Sequence, residues 1–226
     1  MTIKRHGTNK MTAVSSSRRP EGLVLLEGRI GRPLRERLLE AVERALESAP
    51  FFIPRMPRWG TPLSVRMTNF GPLGWVSDRS GYRYQKTHPE TGRPWPPMPR
   101  ELIALWEEIT EYPHPPEAAL VNFYGPRARM GLHVDADEED ADAPILSVSF
   151  GCDAVFRIGG RRRGDPTVSF RLRDGDVLVM GGEARHCYHG VDRILPGTGE
   201  LPPGIGEGRI NITLRRVTLP PGRDVR

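Results

Sequence analysis

The chain has 226 residues, of which 37% are hydrophobic and 27% charged, with a net charge of +5. That size leaves room for one catalytic domain and a short extension, and nothing in it approaches the length of an apolar membrane span. Two cysteines, Cys152 and Cys187, cannot form a disulfide framework, and the four apolar residues after Arg18-Arg19 stop at Glu27, too soon for an export signal. A soluble protein of the reducing cytoplasm is expected.

Residues 1–20 hold Lys4, Arg5, Lys10, Arg18 and Arg19 and no acid, so this stretch carries the charge excess. Residues 1–21 read as a basic disordered tail suited to a polyanion such as nucleic acid, or as a solubilising extension; Met11 offers an alternative start. The 23 prolines and 25 glycines are spread along the chain, which predicts many short elements joined by turns. A short strand is expected at 23–27. Pro33 suits a helical first turn, and Leu34, Leu38, Val42 and Leu46 follow at steps of four, giving an amphipathic helix that stops before Pro50. Residues 51–92 alternate short strands, one at 64–70, with glycine and proline turns. A rigid proline-rich linker at 94–99 leads to a second helix at 100–111, with Leu102, Ile103, Leu105, Trp106 and Ile109 facing inward.

From residue 119 the pattern is strands: 119–124, 145–150, 153–158, 167–172, 176–180, 185–190 and 209–217. Ile145–Phe150 alternates in and out, and Asp174-Gly175 is a hairpin turn signal. About eight strands with frequent turns imply a mainly β, α+β fold: a double-stranded β-helix (jelly roll) with its helices packed outside. The catalytic core is then 119–217, residues 22–118 form buttress helices and a lid, and 218–226 form a C-terminal tail.

His133-Val134-Asp135 places two potential ligands on one side of an extended segment, and His189 follows far downstream. Two imidazoles and a carboxylate make a facial triad, which leaves coordination positions open and marks non-haem Fe(II) oxygenases. Zinc hydrolases accept the same donors, so a second signal is needed. Arg209, Asn211, Thr213 and Arg215 share one face of a strand by period two. Two guanidinium groups on a strand face in a β core are costly unless an anion meets them, and a dicarboxylate bridging metal and arginine fits. His6, His88, His114 and His186 have no such context and read as surface or packing residues.

The motifs together resemble the AlkB family of Fe(II)/2-oxoglutarate-dependent nucleic-acid demethylases. They are Asn122-Phe123-Tyr124, His133-Val134-Asp135 with Asp137, Ala143-Pro144-Ile145, Gly181-Gly182-Glu183, Tyr188-His189-Gly190 and the strand from Arg209 to Arg215. Upstream, Met67-Thr68-Asn69, Leu73-Gly74-Trp75 and Pro94-Trp95-Pro96 are similar to that family's nucleotide-recognition lid. The resemblance spans residues 22–217. It implies Fe(II) on His133, Asp135 and His189, with 2-oxoglutarate and O2 as cosubstrates. It implies 2-oxoglutarate on Asn122, Tyr124, Arg209, Asn211 and Arg215, and a substrate base facing Met67, Trp75, Tyr82, Asp137 and Arg163, with Arg129 on phosphates. The implied reaction is oxidative demethylation of N-alkylated bases in single-stranded or damaged DNA, or RNA, by a monomeric enzyme, with release of formaldehyde and succinate. The alternative is a 2-oxoglutarate-dependent hydroxylase of a protein or small molecule. Val134, Met180 and Ile210 depart from the family's usual polar residue, tryptophan and tyrosine.

Overall fold

The computed structural model describes residues 19–220 and residue 222. The expected basic tail, apart from 19–21, and the C-terminal tail from 223 onward lie outside the described residues.

In chain order the elements are β1 (Leu23–Leu26), helix α1 (Arg32–Leu46), β2 (Val65–Phe70), β3 (Gly74–Asp78), β4 (Gly81–Gln85) and helix α2 (Arg100–Thr110). There follow β5 (Ala118–Tyr124), β6 (Met130–His133), β7 (Ile145–Gly151), β8 (Asp153–Ile158), β9 (Val168–Leu172) and β10 (Val177–Met180). A 3₁₀ helix (Gly182–His186), β11 (His189–Leu195) and β12 (Arg209–Arg215) complete the series. The strands form a six-stranded sheet, β1-β10-β7-β12-β5-β2, a four-stranded sheet, β6-β11-β8-β9, and the separate hairpin β3-β4.

Strand alternation divides the large sheet into two working faces. Ile210, Ile212 and Leu214 of β12 join Leu38, Leu39 and Val42 of α1 and Leu102, Leu105 and Trp106 of α2 in one core. The opposite face packs toward the smaller sheet, where Val65, Met67, Tyr124, Ile145 and Leu178 meet Ala154, Phe156, Ile158 and Leu172. The result is a jelly roll buttressed from outside by two helices. Ile210 lies on the helix side, so that departure from the family pattern does not reach the inner face.

Two expectations fail. Residues 185–190 are not one strand: the chain coils through the 3₁₀ helix and β11 starts only at His189. The cause is Arg185, whose guanidinium turns inward to the carbonyls of Ala143 and Asp135, while Cys187 N–H bonds to the Ala184 carbonyl. Strand β6 was not anticipated; four residues including Gly131 carry no alternating pattern. Ile103 is half-buried rather than inward, because α2 turns its core stripe through Leu102, Leu105, Trp106 and Ile109. His88 is a packing residue: its ring is buried, accepts from the N–H groups of Glu90 and Thr91, and meets Phe52 edge-on.

The hairpin β3-β4 is clamped at its base. Trp95 donates from Nε1 to the Gln85 carbonyl at 2.9 Å, and its indole lies over Gly74. A Cβ on Gly74 would stand 2.4 Å from that ring and 2.8 Å from Asn69 Cβ. Gly74→Ala should lower stability by about 1–3 kcal/mol in a denaturant melt, the usual cost of overpacking. An unchanged midpoint would show that the hairpin is not held there.

Candidate metal and cosubstrate site

Strand pairing brings the two histidines together. His189 of β11 stands opposite His133 of β6, and their ring centroids are 4.5 Å apart. Gly190 permits this approach, since a Cβ there would lie 2.6 Å from the Met130 carbonyl oxygen and 2.9 Å from that of Gly131. His133 Nδ1 meets the Gly131 carbonyl at 2.9 Å and His189 Nδ1 meets that of Cys187 at 3.1 Å. Those contacts assign the proton to Nδ1 and turn both Nε2 lone pairs toward Asp135. The Nε2 atoms stand 3.7 Å (His133) and 3.5 Å (His189) from the Asp135 carboxylate, and the candidate ligand atoms of all three residues lie within 4.8 Å of one another.

Electrostatics favours a cation. Although an edge of its ring reaches solvent, burial and then the His189 ring push the His133 pKa down, keeping the imidazole neutral and free to ligate. Burial pushes the Asp135 carboxyl up, but the Arg215 guanidinium and the two imidazoles outweigh it and hold the group well below the usual carboxylate range. Two imidazole nitrogens and one carboxylate suit Fe(II).

The inner face of β12 supplies a second site. Met67, Asn122, Asn211 and Ser149 are neighbours across β2, β5, β12 and β7, and Arg209 stands opposite Tyr124. Arg209 is 1% exposed; it donates to Ser149 Oγ at 2.6 Å and more weakly to the Leu172 carbonyl at 3.4 Å. Its Nε and the Asn122 Oδ1 have no partner, and no carboxylate stands within ion-pair distance of Arg209 among the described residues. Burial pulls its pKa down to about 10 and pushes the neighbouring Tyr124 up to about 12. A buried guanidinium with a free Nε–H donor and no carboxylate partner is a cradle for an anion. One end of a dicarboxylate fits that description.

The model for the 2OG-Fe(II) oxygenase superfamily matches residues 22–215. An alpha-ketoglutarate-dependent dioxygenase AlkB homolog of Caulobacter vibrioides is 56% identical over 179 residues, covering 79% of this chain and 80% of the relative. The chain belongs to the AlkB family of these oxygenases. It is also 40% identical to Escherichia coli AlkB over 185 residues, covering 80% of this chain and 84% of that protein. The solved structure of OsALKBH1 superposes with a TM-score of 0.71 at 29% identity, covering 89% of this chain and 100% of that one. As AlkB-family oxygenases do, the protein uses Fe(II), with 2-oxoglutarate and O2 as cosubstrates.

Around this AlkB-family centre lies a charge network that the sequence reading missed. Arg215 meets Asp135 at 2.8 Å and Glu138 at 2.7 Å; Arg185 meets Glu138 at 2.8 Å and the Asp135 carbonyl at 2.5 Å. The Tyr84 hydroxyl donates to Glu138 as well, tying hairpin β3-β4 to the metal loop. Arg215 is therefore engaged with protein carboxylates, whereas Arg209 is not. Glu138 lay unnoticed in an acidic run that looks like a solvated loop, and Arg185 sits in a segment misread as strand.

The expected substrate-facing residues divide by location. Trp75 stacks on Tyr82, with centroids 5.7 Å apart and an 18° interplanar angle, and its Nε1–H donates to Asp137 at 2.7 Å. These three residues are thus joined, two positions along the chain from Asp135. Met67 is buried beside Asn122. Arg163 is exposed, 6.0 Å over the Tyr188 ring, and exposed Arg129 is linked through its backbone to Ser64.

Removing the charge from Glu138 leaves Arg185 without its buried carboxylate. Glu138→Gln should cost about 3–5 kcal/mol of unfolding free energy, as expected when one partner of a buried ion pair is neutralised. The folded-state pKa of Glu138 is depressed: burial opposes this, but Arg215 and Arg185 prevail over burial and the Asp135 charge. Its stabilisation is therefore fully present above the ordinary carboxylate range and fades as pH falls through the depressed value. Denaturant titrations at neutral and acidic pH should show the wild-type advantage over Glu138→Gln shrinking in acid; an equal gap at both pH values would contradict the network.

Proposed function

We propose that this oxygenase removes methyl groups from ring nitrogens of bases in single-stranded or damaged DNA, with RNA as a second substrate, and so reverses alkylation damage directly. The observation that carries the reading is the Trp75–Tyr82 stack, fastened through Asp137 to the loop of the metal ligand Asp135. Aromatic faces beside an oxidising centre suit a flat heterocycle lifted out of its stack. Relatives named DNA N(6)-methyladenine demethylase and tRNA demethylase, from Arabidopsis thaliana and Schizosaccharomyces pombe, act on the same class of polymer.

Fe(II) with 2-oxoglutarate and O2 supplies the oxidising power to hydroxylate an N-methyl group, and the hydroxymethyl product releases formaldehyde. His133, Asp135 and His189 hold the metal. Arg209 pairs with one carboxylate of 2-oxoglutarate, while Asn122, Tyr124 and Asn211 offer hydrogen bonds along the same wall. Arg215 completes that wall and holds Asp135 in its ligating orientation. Trp75 and Tyr82 present the base, Asp137 fixes the indole, Met67 closes the apolar side, and Arg163 and Arg129 meet phosphates. The lid at 22–118 and the core at 119–217 divide this work. Among the described residues no helix is long and apolar enough to cross a membrane. Two buried free thiols suit the reducing cytoplasm, where we place a monomeric enzyme.

Formaldehyde release from N-methylated DNA and RNA oligomers tests the proposal, with a methylated peptide as control. His133→Ala, Asp135→Ala and His189→Ala should each abolish it. Trp75→Ala should lower kcat/KM for the oligomer roughly five- to 150-fold, the range for losing one base–aromatic stack, while succinate formation without nucleic acid stays near wild type. Turnover of the peptide alone, or full activity with zinc as the only metal, would overturn it.

A further inference from the structure

Among the described residues, the large hydrophobic side chains that stand exposed are Ile53, Met56, Trp59 and Tyr82. Three of them lie on one short loop, and Tyr82 touches that loop by donating its hydroxyl to Met56 Sδ at 3.7 Å. Trp59 is the extreme case, with 70% of its surface open.

The loop is built rather than loose. Met56 N–H bonds to the Thr61 carbonyl at 2.9 Å, Gly60 N–H to the Met56 carbonyl at 2.8 Å, and Leu63 N–H to the Pro54 carbonyl at 2.9 Å. Gly60 makes the turn at φ +64, and Arg55 donates to its carbonyl at 3.0 Å. Strand β3 grips the loop's other end, with Arg55 N–H on the Ser77 carbonyl at 2.9 Å and Ser77 Oγ on the Arg55 carbonyl at 2.6 Å. A pinned turn that holds an indole in water loses the benefit of burying it, unless something else covers the ring.

The charges say what covers it. Arg58 lies 4.6 Å over the Trp59 ring, and the Arg79 guanidinium packs over Gly60. Residues 53–61 contain Arg55 and Arg58 and no acid. No carboxylate stands within ion-pair distance of Arg55, Arg58 or Arg79 among the described residues, whereas nearby Arg83 is paired with Asp78. Unpaired guanidinium groups around an exposed indole are complementary to a phosphodiester with a base to stack. A chain of contacts leads toward it from the metal loop: Asp137 to Trp75, Trp75 to Tyr82, and Tyr82 to Met56, three residues before Trp59.

We propose that Trp59 and Arg58 form a second nucleotide site, which stacks an unpaired base beyond the target's immediate neighbours and holds its phosphate with Arg58 and Arg79. The inference rests on the nucleic-acid reading of the metal site and extends it to strand length: a substrate longer than the reacting nucleotide's immediate neighbours gains affinity here.

The test compares a methylated single-stranded trinucleotide with a decamer, using full-length protein with Fe(II) and 2-oxoglutarate. Trp59→Ala should raise KM for the decamer roughly five- to 150-fold and leave trinucleotide kinetics unchanged, whereas Trp59→Phe should restore most of the loss. Arg58→Gln should weaken decamer binding and reduce its salt slope by about one phosphate contact. Unchanged decamer kinetics in Trp59→Ala would overturn the site, and so would equal losses on both lengths. A wild-type dimer in sedimentation that Trp59→Ala dissolves, with oligonucleotide affinity unchanged, would assign the patch to self-association instead. Anisotropy with an unmethylated decamer separates this inference from the reading beneath it. Affinity lost in Trp59→Ala, from a wild type that releases no formaldehyde, would keep the site and refute the demethylase.

Discussion

Arg215 donates to two carboxylates at once, Asp135 at 2.8 Å and Glu138 at 2.7 Å, and all three residues are buried. A buried ion must be paired, so this guanidinium fixes both acids, and Arg185 then fixes Glu138 from the other side. The metal ligand Asp135 is thereby oriented without using either ligand histidine as a prop. The same network collects distant parts of the chain: β12, the 3₁₀ helix, the metal loop and Tyr84 of hairpin β3-β4. One set of charges thus ties hairpin β3-β4 to the loop of Asp135.

The two faces of β12 explain how a site so polar survives inside a small domain. Ile210, Ile212 and Leu214 face the two helices, while Arg209, Asn211, Thr213 and Arg215 face the roll. One strand thus serves as hydrophobic floor and as polar wall, and a slip of one residue would exchange the two. Pairing with both β5 and β7 along its length prevents that slip.

Much of this was readable in advance where the signal was local. Period two along 209–215 put Arg209, Asn211, Thr213 and Arg215 on one face of β12, and the steps of four in α1 marked Leu38 and Val42 as core. The triad was visible because its residue types are few and their chemistry restrictive. What escaped notice depends on contacts between distant residues. Arg185 and Glu138 are 47 positions apart, and no period in the sequence announces their pairing. Strand β6 is too short and too glycine-marked to show alternation, and it exists because β11 pairs with it. Trp75 was legible within the Leu73-Gly74-Trp75 motif, but its stack on Tyr82 and bond to Asp137 depend on how the β3-β4 hairpin is set.

With Arg215 and Arg185 engaged by protein acids, Arg209 is left, among the described residues, as a buried guanidinium with no carboxylate within ion-pair distance, and we propose it as the partner of 2-oxoglutarate. Anaerobic thermal melts with Fe(II), with and without 2-oxoglutarate, test this most directly. Because a ligand that binds only the folded state stabilises it, 2-oxoglutarate at 100 times its Kd should add about 2.7 kcal/mol to the wild type. Arg209→Met should keep the shift caused by Fe(II) and lose the shift caused by 2-oxoglutarate. An undiminished 2-oxoglutarate shift in that variant would contradict the assignment of Arg209 as the cosubstrate's anchor.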